Sequence, residues 1–155
     1  MPLILPRRYQ LAVNKRVTSR HEVEAKRSSQ EPRGKTILFV DDEPSILTIR
    51  RLIFEALGYL VVTAASGEVA LDLLNTRVVD AVVLDYLMSP MNGEDLARRI
   101  RRKHRKTPIV LSSGCLSLPQ SLLDAVDVWV EKGGPPSTLV GALEQIVAFR
   151  ITRSR

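Results

Sequence analysis

Ile37-Leu38-Phe39-Val40-Asp41-Asp42-Glu43-Pro44 is the stretch that decides the fold of this chain. Four apolar residues stop abruptly at adjacent carboxylates, and a proline suited to the first turn of a helix follows. The pattern recurs three times. Ala81-Val82-Val83-Leu84 ends on Asp85, Ile109-Val110-Leu111 ends on Ser112-Ser113-Gly114, and Val128-Trp129-Val130 leads to Lys132. Four strand-like runs thus each deliver a polar group at their carboxyl ends, the edge at which open parallel α/β sheets bind ligands.

Helical patterns fill the gaps between these runs. Strands are expected at 36–40, 60–64, 80–85, 108–112 and 127–131. Helices are expected from Pro44 to a stop at Gly58, over 67–75, over 93–103, around 120–125, and from about Pro136 onward. Their inward stripes read Ile46/Ile49/Ile53/Leu57, Ala70/Leu71/Leu74, Leu96/Ala97/Ile100 and Leu139/Leu143/Ile146/Val147. Five strands alternating with five helices predict a parallel sheet covered on both faces. The expected architecture is a flavodoxin-like (βα)5 three-layer sandwich with strand order 2-1-3-4-5. That order sets the ends of the first and third strands side by side, so Asp41, Asp42 and Asp85 converge.

The chain has 155 residues, enough for one domain with a substantial core. The single cysteine, Cys115, excludes an internal disulfide and suits a reducing, cytoplasmic setting. No apolar run is long enough to span a bilayer. Residues 1–35 carry nine Lys/Arg and three Glu, so the whole net charge of +6 sits there. The expected organisation is a basic N-terminal extension over 1–35, a folded domain over 36–150 and a short tail over 151–155. The run Arg98, Arg99, Arg101, Arg102, Lys103, Arg105 and Lys106 reads as a solvated helix face. It lacks the interleaved aromatics that nucleic-acid stacking uses, so nucleic acid is not an expected partner.

Three crowded carboxylates repel one another and raise each other's pKa, which a cation among them relieves. Carboxylates, a backbone carbonyl and waters suit Mg²⁺. A carboxylate can itself be a nucleophile that forms an acyl phosphate, and positioning and charge neutralisation lower most of the barrier to phosphoryl transfer. Lys132 supplies a further positive charge and Ser113 a hydroxyl.

The segment 39–44, the Leu84-Asp85 step followed by Pro90 and Gly93, the Ser113-Gly114 pair and Lys132 together resemble the receiver domain of bacterial two-component response regulators. The resemblance covers residues 36 to about 150. It implies that Asp85 is the phosphoacceptor, that Asp42 binds Mg²⁺ directly, and that Asp41 holds metal-bound water. Leu87 would lend its backbone carbonyl to the metal. Ser113 resembles the hydroxyl that moves toward the phosphoryl group, and Trp129 occupies the place of the aromatic switch residue. The implied phosphate donor is a sensor histidine kinase or a histidine phosphotransfer protein. The implied output is a protein contact, or a homodimer, through the face of the fourth helix, fifth strand and fifth helix. Leu116, Leu118, Leu122 and Leu123 make that region apolar enough to dock a partner.

Several residues depart from the family pattern. Gly133-Gly134-Pro135-Pro136 follows Lys132 where the family has proline directly, so the usual cis Lys–Pro bond is absent. Pro90 falls one place later than usual after Asp85, which implies a reshaped loop. Trp129 is bulkier than the common tyrosine or phenylalanine. On this reading the chain is a stand-alone signalling module that catalyses only its own phosphotransfer and dephosphorylation. Leu87 and Cys115 near the acceptor imply slow hydrolysis. Two other readings stand beside it: a degenerate receiver acting as a scaffold or nucleic-acid adaptor through its basic arm, and a small Mg²⁺-dependent phosphatase.

Overall fold

A computed structural model describes residues 34–153. The elements run β1 (Thr36–Val40), α1 (Pro44–Ala56), β2 (Leu60–Ala64), α2 (Gly67–Thr76), β3 (Ala81–Asp85), α3 (Gly93–Lys103), β4 (Ile109–Ser113), α4 (Gln120–Ala125), β5 (Val128–Glu131) and α5 (Pro136–Arg153). The strands form one parallel sheet in the order β2-β1-β3-β4-β5. This is the predicted flavodoxin-like topology. Most of the predicted 1–35 extension lies outside the described residues. Its last two residues join the domain, for Gly34 N donates to Gly58 O and Lys35 pairs with Asp80 at 3.4 Å. α5 continues to Arg153, so most of the stretch expected as a tail is helical.

Two apolar clusters sandwich the sheet. Leu38, Val40, Val82, Leu84, Ile109 and Leu111 face α2, α3 and α4. Ile37, Phe39, Ala81, Val83, Val110 and Val128 face α1 and α5. The alternation follows from the two-residue period of a strand. β3 and β4 are buried throughout, as central strands covered on both faces must be.

Helix ends follow local chemistry. The Ser66 hydroxyl accepts from Val69 N at the start of α2, and Asn92 Oδ1 accepts from Asp95 N at the start of α3. Each such cap contributes about 1 kcal/mol. α3 has Glu94 and Asp95 in its first turn and Arg101, Arg102 and Lys103 in its last, both favourable to its dipole. Gly58, with φ +90°, turns the chain after α1 as predicted.

Two expectations are corrected. The buried stripe of α1 is Leu47 and Phe54, with Ile46 and Ile53 half-buried, while Ile49 and Leu57 are exposed. The helix is rotated by about one residue, roughly 100°, because the Phe54 ring seats against Phe39 and Tyr59 at centroid distances of 4.9 and 5.6 Å. Arg101, predicted on the solvated face of α3, turns inward instead. It donates to Ala125 O at 2.8 Å and Thr107 O at 2.7 Å and pairs with buried Asp127. Asp127 also accepts from Ile109 N, so this ion pair ties α3 to the ends of α4 and β4.

Candidate functional site

β1 and β3 are neighbours in register from Ile37↔Ala81 to Val40↔Leu84. The next residues, Asp41 and Asp85, therefore emerge together at the carboxyl edge of the sheet. Both are buried, and Asp42 beside them is exposed. One carboxylate oxygen from each of the three lies within 4.8 Å of the others. Lys132 reaches the cluster from the turn after β5. Its Nζ is 2.8 Å from Asp41 Oδ2 and 3.0 Å from Asp85 Oδ2. Lys132 N donates to Ser113 O at 2.9 Å, which fixes that turn against β4, and Gly133 with φ +88° completes it. A lysine whose backbone is bonded to β4 thus bridges two acids.

Electrostatics follow from this packing. Burial pushes the Asp85 carboxyl up, and the Asp41 charge adds to the rise, against Lys132 and a hydrogen bond from the Tyr86 backbone. Burial alone would lower Lys132, but its hydrogen bonds to Asp41 and Asp85, with their charges, hold the ammonium above its ordinary pKa. Asp41 Oδ1 is further engaged by Glu43 N at 3.0 Å. Asp42 has no protein donor among the described residues. Three carboxylates with one lysine leave uncompensated negative charge and free oxygen lone pairs, which fits a hard divalent cation such as Mg²⁺.

The remaining predicted residues fall at or near this edge. Ser113 is buried, and its Oγ accepts from Cys115 N at 3.0 Å. Leu87, two residues after Asp85, has an exposed side chain, and the Ser89–Pro90 peptide beyond it is cis. Trp129 is half-buried against the α2–α4 side of the core, opposite Leu111, with Nε1 unpartnered among the described residues. Of the four leucines expected around α4, Leu116 is exposed, Leu118 and Leu123 are half-buried, and Leu122 is buried. The apolar surface there is smaller than expected.

Arg50 is the residue that sequence reasoning missed. It is half-buried on the inward side of α1, where Asp41 and Asp85 act on it electrostatically, and its Nη2 donates to Ser112 Oγ at 3.2 Å. Burial lowers its pKa and the two carboxylates oppose that fall. The signal was present in the spacing Leu47–Arg50–Phe54, which puts an arginine within a buried stripe. Placing the stripe one residue away hid it.

Comparison with known proteins agrees with this geometry. The model of the response regulator receiver domain family matches residues 37–129. The alkaline phosphatase synthesis transcriptional regulatory protein PhoP of Bacillus subtilis is 38% identical over 78 residues, 50% of this chain and 32% of that protein. The probable transcriptional regulator ycf27 of Cyanidium caldarium is 31% identical over 134 residues, 82% of this chain and 52% of that protein. The chain thus spans between about a third and a half of these curated relatives. Among solved structures, the response regulator TrrA of Thermotoga maritima, in complex with Mg²⁺-BeF, superposes with a TM-score of 0.69. It has 30% identity over 72% of this chain and 98% of that one.

Proposed function

Because the chain belongs to the family of response regulator receiver domains, we propose that Asp85 is its phosphoacceptor in a two-component phosphorelay. The observation that carries this reading is Lys132 Nζ, bridging Asp41 and Asp85 at 2.8 and 3.0 Å inside a three-carboxylate cluster. An oxygen of ionised Asp85 attacks the phosphorus of a phosphohistidine. The P–N bond breaks, its electron pair returns to the imidazole of the donor, and an aspartyl phosphate remains. The acyl phosphate on Asp85 then carries more negative charge than the carboxylate it replaces, while Asp41 is unchanged, and Lys132 is the natural donor to a phosphoryl oxygen. Asp41, Asp42, Asp85 and the Leu87 carbonyl would hold Mg²⁺, which would supply charge neutralisation as the phosphoryl group moves. Ser113 can exchange its bond from Cys115 N for one to the phosphoryl group, which would relax the segment from β4 toward α4.

The phosphate donor is a sensor histidine kinase or a histidine phosphotransfer protein. The output is a switched protein contact, to a downstream target or a second copy, through α4, β5 and α5. The module turns over no free metabolite. Neither the phosphatase nor the constitutive-scaffold reading draws support from the comparisons.

Incubation with acetyl phosphate and Mg²⁺, followed by intact mass measurement, tests the assignment. Wild type should gain one phosphoryl mass, and Asp85→Asn should gain none. An equal gain in both proteins would move the acceptor elsewhere.

A further inference from the structure

Arg50 is a cation that the phosphoacceptor chemistry does not require. It projects from the inward side of α1 and its Nη2 meets Ser112 Oγ at 3.2 Å. Ser112 is 3% exposed and is the register neighbour of Asp85 on the adjoining strand. The two-residue strand period puts the Ser112 and Asp85 side chains on the same face of the sheet, the one covered by α1 and α5. A guanidinium has five N–H donors, and this bond is the only one Arg50 makes among the described residues. It forms no ion pair there within contact distance, so its charge acts on Asp41 and Asp85 through space rather than by direct contact.

We propose that Arg50, tethered by Ser112, is a resident cation beneath the acid pocket that opposes metal binding and favours the anionic phosphoryl group. The inference rests on the receiver reading above and concerns the same pocket. Three carboxylates and Lys132 leave two uncompensated negative charges, and Arg50 reduces that excess to one. A divalent cation entering the pocket gains less attraction when Arg50 is present. A phosphoryl group arriving on Asp85 adds negative charge and gains more. Removing Arg50 should therefore move the two affinities in opposite directions, whereas loss of mere packing would weaken both.

The test uses the full chain with Arg50→Met, Arg50→Lys and Ser112→Ala. Mg²⁺ binding alone is measured by titration calorimetry. Beryllofluoride binding is then measured by fluorine NMR at saturating Mg²⁺. Arg50→Met should bind Mg²⁺ about five- to ten-fold more tightly and beryllofluoride weaker by a similar factor, the order expected for one partly screened charge. Arg50→Lys, which keeps the charge, should stay within about two-fold of wild type in both. Ser112→Ala keeps the cation but frees it toward solvent. It should show smaller shifts of the same two signs, and it decides the matter if Arg50→Met does not fold. Shifts in the same direction, or none, would overturn the role of Arg50. A wild type that binds neither ligand would instead overturn the receiver reading, and this inference with it.

Discussion

At Gly93 the start of α3 comes against the end of β3, and a single methyl group there should separate structure from coincidence. A Cβ built on Gly93 would lie 2.4 Å from Asp85 O, 2.8 Å from Tyr86 Cα and 3.0 Å from Leu84 Cδ1. Unstrained contacts between carbon atoms lie near about 3.5–4.0 Å. Two of the three atoms are main chain, so no rotamer change can relieve the overlap, and α3 or the end of β3 must shift by roughly 1 Å. Forced insertion of a methylene into a packed interior costs about 1–3 kcal/mol. With backbone on the other side, Gly93→Ala should fall at the upper end of that range. For a domain of this size that is a drop of roughly 10 °C in Tm.

The same substitution elsewhere supplies the controls. At Gly67 the Cβ meets Met91 Sδ at 2.7 Å, but a flexible thioether can swing aside, so the loss should be about 1 kcal/mol or less. At Gly141, inside α5, nothing lies within 4 Å, so alanine should stabilise by about 0.5–1 kcal/mol. Urea denaturation of the three variants gives the ordering directly. Because the displaced atom is the carbonyl of Asp85 itself, Gly93→Ala should also lose phosphate uptake under conditions where it is fully folded. Equal midpoints for Gly93→Ala and Gly141→Ala would refute the close approach and the reasoning built on it.

Asp85 makes stability depend on pH in the absence of metal. Its folded pKa is raised, chiefly by burial, so the folded chain holds a proton that the unfolded chain has released. Stability should fall as pH rises from the unfolded value, about 3.9, through the raised folded value, and then level off. Urea midpoints in chelator should show this fall in wild type and not in Asp85→Asn, and parallel profiles would contradict it. Arg101→Met removes the guanidinium's bonds to Ala125 O and Thr107 O and its pairing with Asp127. It should cost about 3 kcal/mol, as loss of one partner of a buried pair does, and a midpoint shift no larger than that of an exposed arginine would count against it. The aspartyl phosphate should persist for many minutes, since Leu87 and Cys115 offer no strong group to orient an attacking water. Label lost within a minute would show otherwise.

The strands and the acid edge were legible because each rests on a short-range rule. An apolar run that ends on a carboxylate marks both a buried strand and its carboxyl terminus. Parallel topology then carries Asp41 and Asp85 to adjoining strand ends with no further information. Lys132 was legible only by its company, and nothing local reveals that its backbone N–H is bonded to Ser113 O. The rotation of α1 was not legible. Ile49 and Leu52 look as apolar as Leu47 and Phe54, and the choice between the two faces is made by the Phe39–Phe54–Tyr59 ring contacts, which join β1, α1 and the turn before β2. That rotation is also what carries Arg50 under the pocket. A surface arginine and an inward one are separated here by about 100° of helix, and a contact among aromatic rings, not any contact with the acid cluster, decides between them. The charge of the pocket is thus set partly by packing on the opposite end of the same helix. Phe54→Leu, which keeps the apolar face but drops the ring contacts, bears on that link: if the rings hold α1 in register, the shift it causes in Mg²⁺ affinity should carry the sign seen on removing Arg50.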